Sequence, residues 1–332
     1  MIKISDNSRQ PDREAWTMER VNAELTINLG MAIDRSTHNS YTSALNLYLT
    51  FCCLHNLDVE PTPRNLALLI TFKSTFINPK SVDSYLSDIA NQLETHFPDV
   101  RVACKTALVT CAWQGVKHRH GVPTAQKLPL TRDNLITVIN AYQYNPTYDN
   151  ILFITQLLTS FNCLLCLGEL TWPDKLDLHD YQKVSMQHTV EFLADSLSFW
   201  LPGHKVDQHF EGNHLIICKH STPDTYSFFV RYLDSCDKHF WAHPELWLCV
   251  DGTIPTRAWF INCLQHFFPS SITGQSMQAG GAMSLAESVV VPNLIQVAGR
   301  WTSETFNCYV WKNSFLFKAL LVGRSSLRFP AG

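Results

Sequence analysis

The stretch Ala298-Gly299-Arg300-Trp301-Thr302-Ser303, followed at a helical distance by Cys308-Tyr309, is the most informative part of this chain of 332 residues. It places a basic residue and a tryptophan shortly before a tyrosine on a predicted helix, Ser303 to Asn313. A tyrosine in a helix is most often a packed side chain. Tyr309 therefore gains a chemical interpretation only from the patterns that precede it in the chain.

Composition limits the class of protein. With 45% apolar and 17% charged residues, the chain can form folded cores, and its length predicts two domains. No run of eighteen apolar residues occurs, so no membrane span is predicted. The odd number of cysteines, eleven, is typical of reduced thiols in the cytoplasm or nucleus. Cys163-Leu164-Leu165-Cys166 has the spacing of half a zinc knuckle but lacks a second close pair, so no zinc site is predicted there.

Charge is unevenly distributed in this chain of net charge −3. The segment from Arg101 to Arg132 contains no acidic residue. It could be a solvated linker, or a strap along a phosphate backbone whose binding releases counterions. The bases of this segment that are candidates for DNA contact, together with one from the opening stretch, are Lys105, Lys117, Arg119, Lys127, Arg132 and Arg300.

Hydrophobic periodicity and turn residues predict the organisation of the chain. The first half reads as helices with short loops: 36–53, 61–75, 79–93 and 100–118. The second half reads as helices 131–142 and 148–165, strands 184–192, 196–201 and 213–218, then helices 224–237, 255–268, 276–288, 292–298 and 303–313. The predicted class is mainly α with a small antiparallel sheet (α+β). We expect a helical domain at 1–118, a basic linker at 119–130 and a second domain at 131–332.

Four local patterns occur in order along the second half. They are Cys166-Leu167-Gly168-Glu169-Leu170, Leu201-Pro202-Gly203-His204-Lys205, Gly274-Gln275-Ser276-Met277-Gln278-Ala279-Gly280-Gly281, and Gly299-Arg300-Trp301 with Tyr309. Together with the predicted domains, they resemble the boxes of the tyrosine recombinase (phage integrase) family, and most closely the recombinase-like proteins of fungal mobile elements. The resemblance implies a helical, SAM-like core-binding domain followed by a catalytic-type domain, with double-stranded DNA as the partner and with no metal or other cofactor.

The resemblance also implies roles for individual residues. Tyr309 matches the nucleophile, Lys205 the lysine that protonates the leaving oxygen, and Trp301 the residue that packs at the phosphate. The family clamps the phosphate with two arginines, because negative charge builds on its oxygens during attack. Here the clamp positions hold Cys166 and Gln278, and the position of the box histidine holds Gln275.

These replacements predict a damaged site. The loss of one preorganised donor costs ~10²–10³ in rate, and two losses could approach ~10⁵. The favoured hypothesis is a DNA-binding relative of the recombinases with weak or no strand cleavage. The alternatives are an active recombinase that forms a 3′-phosphotyrosine through Tyr309, and a recombinase-fold module for protein contacts. The apolar tail 315–322 either packs on its own domain or docks on a second copy.

Overall fold

The structure, a computed structural model, describes residues 15–122, 127–203, 211–288, 290–302, 306 and 317, the side chain of Met31 excepted. The chain divides into two compact units, Met1–Thr124 and Ala125–Gly332. Lys205, Tyr309 and most of the predicted last helix and tail lie outside the described residues. The predictions made for them therefore stay predictions.

The described part of the first unit is helical. Its helices are α1 (Met18–Met31), α2 (Arg35–Leu54), α3 (Pro63–Lys73), α4 (Pro79–Leu93), α5 (Val100–Cys104) and α6 (Ala107–His120). Side chains of Asp34, Thr62 and Asn78 cap the starts of α2, α3 and α4, and prolines occupy the first position of α3 and α4. This is why the sequence located these three helices closely.

Two features of this unit differ from the sequence-based expectation. Helix α1 was not predicted at all. The single helix expected at 100–118 is instead two helices, because Thr106 adopts an extended conformation as the N-cap of α6. Helix α6 then continues to His120, so it includes the first residues of the predicted linker.

The core of the first unit lies between α2, α3, α4 and α6. Aromatic, aliphatic and thiol side chains fill it, and the fully buried ones include Tyr48, Cys52, Leu66, Ile70 and Ile89. Tyr48 also donates its hydroxyl proton to the Glu60 carbonyl at 3.1 Å. The unit therefore has an apolar core of its own.

The second unit combines helices with one small sheet. Its elements are α7 (Arg132–Ala141), α8 (Tyr148–Asn162), β1 (Glu191–Phe192), β2 (Ser196–Leu201), β3 (Asn213–Cys218), α9 (Thr225–Phe240), α10 (Arg257–Gln265), α11 (Gly274–Glu287) and α12 (Pro292–Ala298). The sheet is antiparallel in the order β1-β2-β3. The predicted fold class, mainly α with a small antiparallel sheet, is confirmed.

The first strand is much shorter than the predicted 184–192. Before Glu191 the backbone pairs with a loop rather than with β2: the Gln187 N–H donates to the Pro244 carbonyl at 2.8 Å, and the Leu246 N–H donates to the Ser185 carbonyl at 2.9 Å. The β-branched residues of this segment predicted extended backbone but could not reveal its partner.

Helix α8 is the centre of the second unit, because every side chain from Tyr148 to Phe161 except Asp149 and Asn150 is buried. Helix α11 packs directly on it. A Cβ at Gly281 would lie 2.0 Å from the Phe161 carbonyl oxygen, and one at Gly280 would lie 2.9 Å from the Phe161 ring. Within the described residues, no helix is long and apolar enough to cross a membrane.

Candidate functional site

The C-terminus of α8 ends in a left-handed turn. Leu164 has φ of 51°, and the Leu165 N–H donates to the Ser160 carbonyl at 2.9 Å. Glycine usually occupies such a position, since a side chain there costs roughly 1–2 kcal/mol. After this turn, the helix provides no N–H donor for the carbonyl groups of Cys163 and Leu164, so donors from elsewhere must bind them.

Helix α12 ends in the same way, and here the left-handed residue is Arg300, with φ of 54°. The Trp301 N–H donates to the Gln296 carbonyl at 3.1 Å and closes the turn. Gly299 serves a different purpose. A Cβ at Gly299 would lie 2.6 Å from the Trp301 ring, so the glycine leaves room for the indole against the backbone.

The Arg300 guanidinium joins these two helix ends. Its Nη1 donates to the carbonyls of Cys163 and Ala298, both at 3.3 Å, and its Nη2 donates to the Leu164 carbonyl and to Glu169 Oε2, both at 3.1 Å. The Arg300 and Glu169 side chains are only 10% and 11% exposed. A cation at a helix C-terminus is favourable, because the last carbonyls carry partial negative charge. Arg300 is thus a structural cation in a nearly buried ion pair.

The two predicted clamp positions are in contact beside this pair. Cys166 Sγ lies 3.6 Å from Gln278 Oε1, and Gln278 Nε2 donates to the Leu164 carbonyl at 3.0 Å. The Cys166 N–H donates to Glu169 Oε2 at 2.7 Å. Cys166 is exposed and Gln278 partly buried. The fold therefore brings together a thiol and an amide where the resemblance expects two guanidinium groups.

The neighbouring cysteine of the CxxC pattern has another environment. Burial raises the pKa of the Cys163 thiol to about 12, although the Arg300 charge acts in the opposite direction. Its Sγ donates to the Ile216 carbonyl at 3.8 Å. The thiol is therefore neutral and directed at the sheet. Among the described residues, no group of His, Cys, Asp or Glu side chains is arranged to hold a metal ion.

Trp301 and Gln275 occupy different surroundings. The Trp301 ring is partly buried against a small cluster that includes Leu164 and Ile295, and it stacks on Phe306 with ring centroids 5.7 Å apart. Gln275 is exposed on the first turn of α11, one turn before Gln278. Trp301 thus has a packing role in the structure, and its role at a phosphate stays a prediction.

The predicted DNA-contacting residues other than Arg300 are exposed. In the first unit, Lys105 follows α5, and Lys117 and Arg119 lie in the last turns of α6. Lys117 Nζ lies 5.1 Å from the centroid of a Trp113 ring. In the second unit, Arg132 begins α7, and Lys127 Nζ donates to the Ser270 carbonyl at 2.9 Å.

Sequence reasoning missed the importance of Glu169 and the Leu164 carbonyl. Glu169 belongs to the first motif, but the sequence alone indicates no role for it. Arg300 was expected to approach DNA, whereas the structure directs its guanidinium at Glu169 and three carbonyl groups. A signal for this contact was present in the sequence. The first motif contains one acidic residue, Glu169, and the last motif contains one basic residue, Arg300, so the two side chains could form an ion pair.

Comparison with solved structures supports the fold. The chain is similar to a lambda integrase dimer bound to a COC′ core site, with 12% identity, 88% of this chain and 94% of that chain covered, and a TM-score of 0.53. A Tn1549 transposon integrase in complex with circular intermediate DNA matches with 13% identity, 75% and 80% coverage and a TM-score of 0.48. The recombinase XerA matches with 11% identity, 94% and 99% coverage and a TM-score of 0.44.

No protein-family model matches the chain, and comparison with curated proteins finds no match. At such low identity, similarity to lambda integrase establishes a shared fold rather than a shared activity. The chain therefore has the fold of the tyrosine recombinases, as its four ordered motifs predicted.

Proposed function

We propose that this chain is a member of the tyrosine recombinase family that binds duplex DNA and cleaves it weakly or not at all. Ancestry is supported by the shared fold and by the four motifs. DNA is suggested as the partner by the lambda integrase structure, which is bound to a DNA core site. The exposed bases on α6 and at the start of α7 offer positive charge to phosphates.

The observation that carries the loss of activity is the environment of Arg300. Neither Cys166 nor Gln278 can supply positive charge to a transition state. Arg300 does carry charge beside them, but its guanidinium donates to a carboxylate and three carbonyl groups. A phosphate would have to displace these partners from a group that is only 10% exposed. We therefore expect Arg300 to hold the fold rather than stabilise the transferring phosphate.

Two assays of the full chain test this proposal. Binding to duplex DNA is measured as a function of salt, and covalent trapping is measured with nicked suicide duplexes on denaturing gels. We expect salt-sensitive binding and no or very weak adduct. An abundant adduct that disappears in Tyr309→Phe would disprove the loss of cleavage. If duplex DNA fails to bind even at low salt, the protein-interaction alternative replaces ours.

A second candidate is an active recombinase, and the proximity of Arg300 to Cys166 and Gln278 is the observation in its favour. In this case the guanidinium leaves Glu169 and binds the phosphate during attack. Trapping would then require both Tyr309 and Arg300. Arg300→Lys, which keeps the charge but not the forked donor geometry, should reduce the adduct strongly if this candidate is correct.

A further inference from the structure

Helix α1 exposes an apolar stripe. Met18, Val21, Leu25 and Leu29 recur at spacings of three and four residues, which places them on one face of the helix. Leu25 is 52% and Leu29 is 66% exposed. From Met18 to Gly30, Glu24 is the only residue that is even partly buried. We call these four side chains the α1 stripe.

A second apolar surface lies in the same unit, between α2 and α3. It is a groove of about 320 Å³ whose lining includes Leu47, Leu54, Leu69, Phe72 and Lys73. Leu54 is 68% exposed, and Phe76, which contacts the Phe72 ring, is 69% exposed. We call this surface the α2/α3 groove. An exposed apolar helix face and an exposed apolar groove on one unit are complementary in chemistry.

Charge is complementary as well. Glu24 borders the α1 stripe, and Lys73 lines the α2/α3 groove. A helix that lies in the groove can therefore place its carboxylate near the lysine while the stripe contacts Leu54 and Phe72. This arrangement is the helix-in-groove mode of recognition, with apolar anchors at helical spacing and a charged rim.

The length of the connection decides which copy's groove α1 can occupy. Three residues, 32–34, join α1 to α2. If α1 folded back along its own α2, its end at Met31 would lie beside Arg35, while the groove begins at Asn46, about 16 Å further along the helix axis. Of the α1 stripe, only Met18 would then reach the groove. The whole stripe can fill the groove only on another molecule.

We propose that two copies of this chain exchange their α1 helices, each α1 stripe filling the α2/α3 groove of the other copy. The exchange is symmetric, so one dimer contains two identical contacts. It lies entirely in the first unit and does not depend on the proposed binding or cleavage of DNA. It also differs from association through the tail 315–322.

Complementation between two variants of the full chain tests this exchange without DNA. Leu25→Glu spoils the stripe and leaves the groove intact, whereas Leu54→Glu spoils the groove and leaves the stripe intact. Both positions are exposed, so each variant should fold, which circular dichroism checks. Mass is measured by sedimentation over a range of concentrations. Ile27→Glu, on the opposite face of α1, is the matched control.

We expect the unmodified chain and Ile27→Glu to dimerise, and each of the other variants alone to dissociate at least tenfold more readily. An equimolar mixture of Leu25→Glu and Leu54→Glu should recover heterodimers through one intact contact. The proposal is overturned if the unmodified chain is monomeric throughout, or if Leu25→Glu dimerises normally, as a tail-mediated dimer would. It is also overturned if Leu54→Glu alone dimerises normally, as stripe-to-stripe pairing would, or if the mixture fails to form heterodimers.

Discussion

The turn around Arg300 and the end of α6 both contain basic side chains, but their environments are opposite. Arg300 is nearly buried, and its guanidinium donates to Glu169 and to three carbonyl groups. Lys117 and Arg119 are exposed in the last turns of α6. Removal of a buried, paired cation leaves its carboxylate uncompensated and destabilises the protein, whereas an exposed cation remains available to a phosphate. Position in the fold, rather than residue type, therefore separates structural charge from binding charge.

Restoring positive charge at the candidate site should have the strongest effect on activity. We expect Cys166→Arg combined with Gln278→Arg to produce Tyr309-dependent cleavage, because both new guanidinium groups would face the phosphate. The gain in rate could approach ~10⁵, since each clamp contributes at least ~10²–10³. Cys166 is exposed, so the arginine beside Arg300 can remain solvated.

Adduct formation on nicked suicide duplexes measures this gain, and the same double variant carrying Tyr309→Phe is its control. If the double variant folds and binds DNA but forms no adduct, the assignment of Cys166 and Gln278 to the clamp positions is wrong.

The second prediction concerns the stability supplied by Arg300. We expect Arg300→Met to destabilise the second unit by about 3–5 kcal/mol, because it leaves the Glu169 carboxylate nearly buried without its cation. Urea unfolding followed by a probe in the second unit measures the change, since two units need not unfold together.

Two further variants test whether the buried, unpaired carboxylate causes this loss of stability. Adding Glu169→Gln to Arg300→Met should recover part of the loss, because the unpaired charge is removed. Arg101→Met, followed by a probe in the first unit, is the matched control. It breaks the Arg101–Glu94 pair, whose side chains are 49% and 43% exposed, and should cost much less stability because water screens the pair. Equal losses of stability from Arg300→Met and Arg101→Met would show that burial of the Arg300–Glu169 pair does not determine its contribution.

The smallest expected effect is a change in the salt dependence of DNA binding. Replacing Lys117, Arg119 and Lys127 with alanine should reduce the slope of log affinity against log salt by up to about 2.7, since each neutralised phosphate contributes about 0.9. Lys127 should contribute least, because its ammonium already donates to the Ser270 carbonyl.

Lys183→Ala provides the comparison for these replacements. Lys183 is a half-exposed lysine outside the basic segment, and it lies 3.7 Å from Asp180. Its replacement should leave the slope unchanged. A slope that responds to Lys183 as strongly as to Lys117 would show that binding follows overall charge rather than the α6 surface.

Local signals explain most of the secondary structure that could be predicted. The bounds of β2 and β3, and those of α4 and α12, match the predicted segments, because prolines, caps and alternating apolar residues mark them. Helix α1 was not predicted, although Met18, Val21, Leu25 and Leu29 already have helical spacing in the sequence. The first strand was predicted too long because its segment pairs with the loop at 244–246.

The fold class and the residue types of the candidate site could be predicted from the sequence alone. Four motifs in order pointed to the recombinase fold, and the residue types at Cys166 and Gln278 already lacked charge. The role of Arg300, in contrast, is visible only in the three-dimensional fold. Its guanidinium meets Glu169 because two left-handed turns, distant in sequence, end α8 and α12 side by side. Such contacts depend on long-range packing, and no local pattern of residues encodes them.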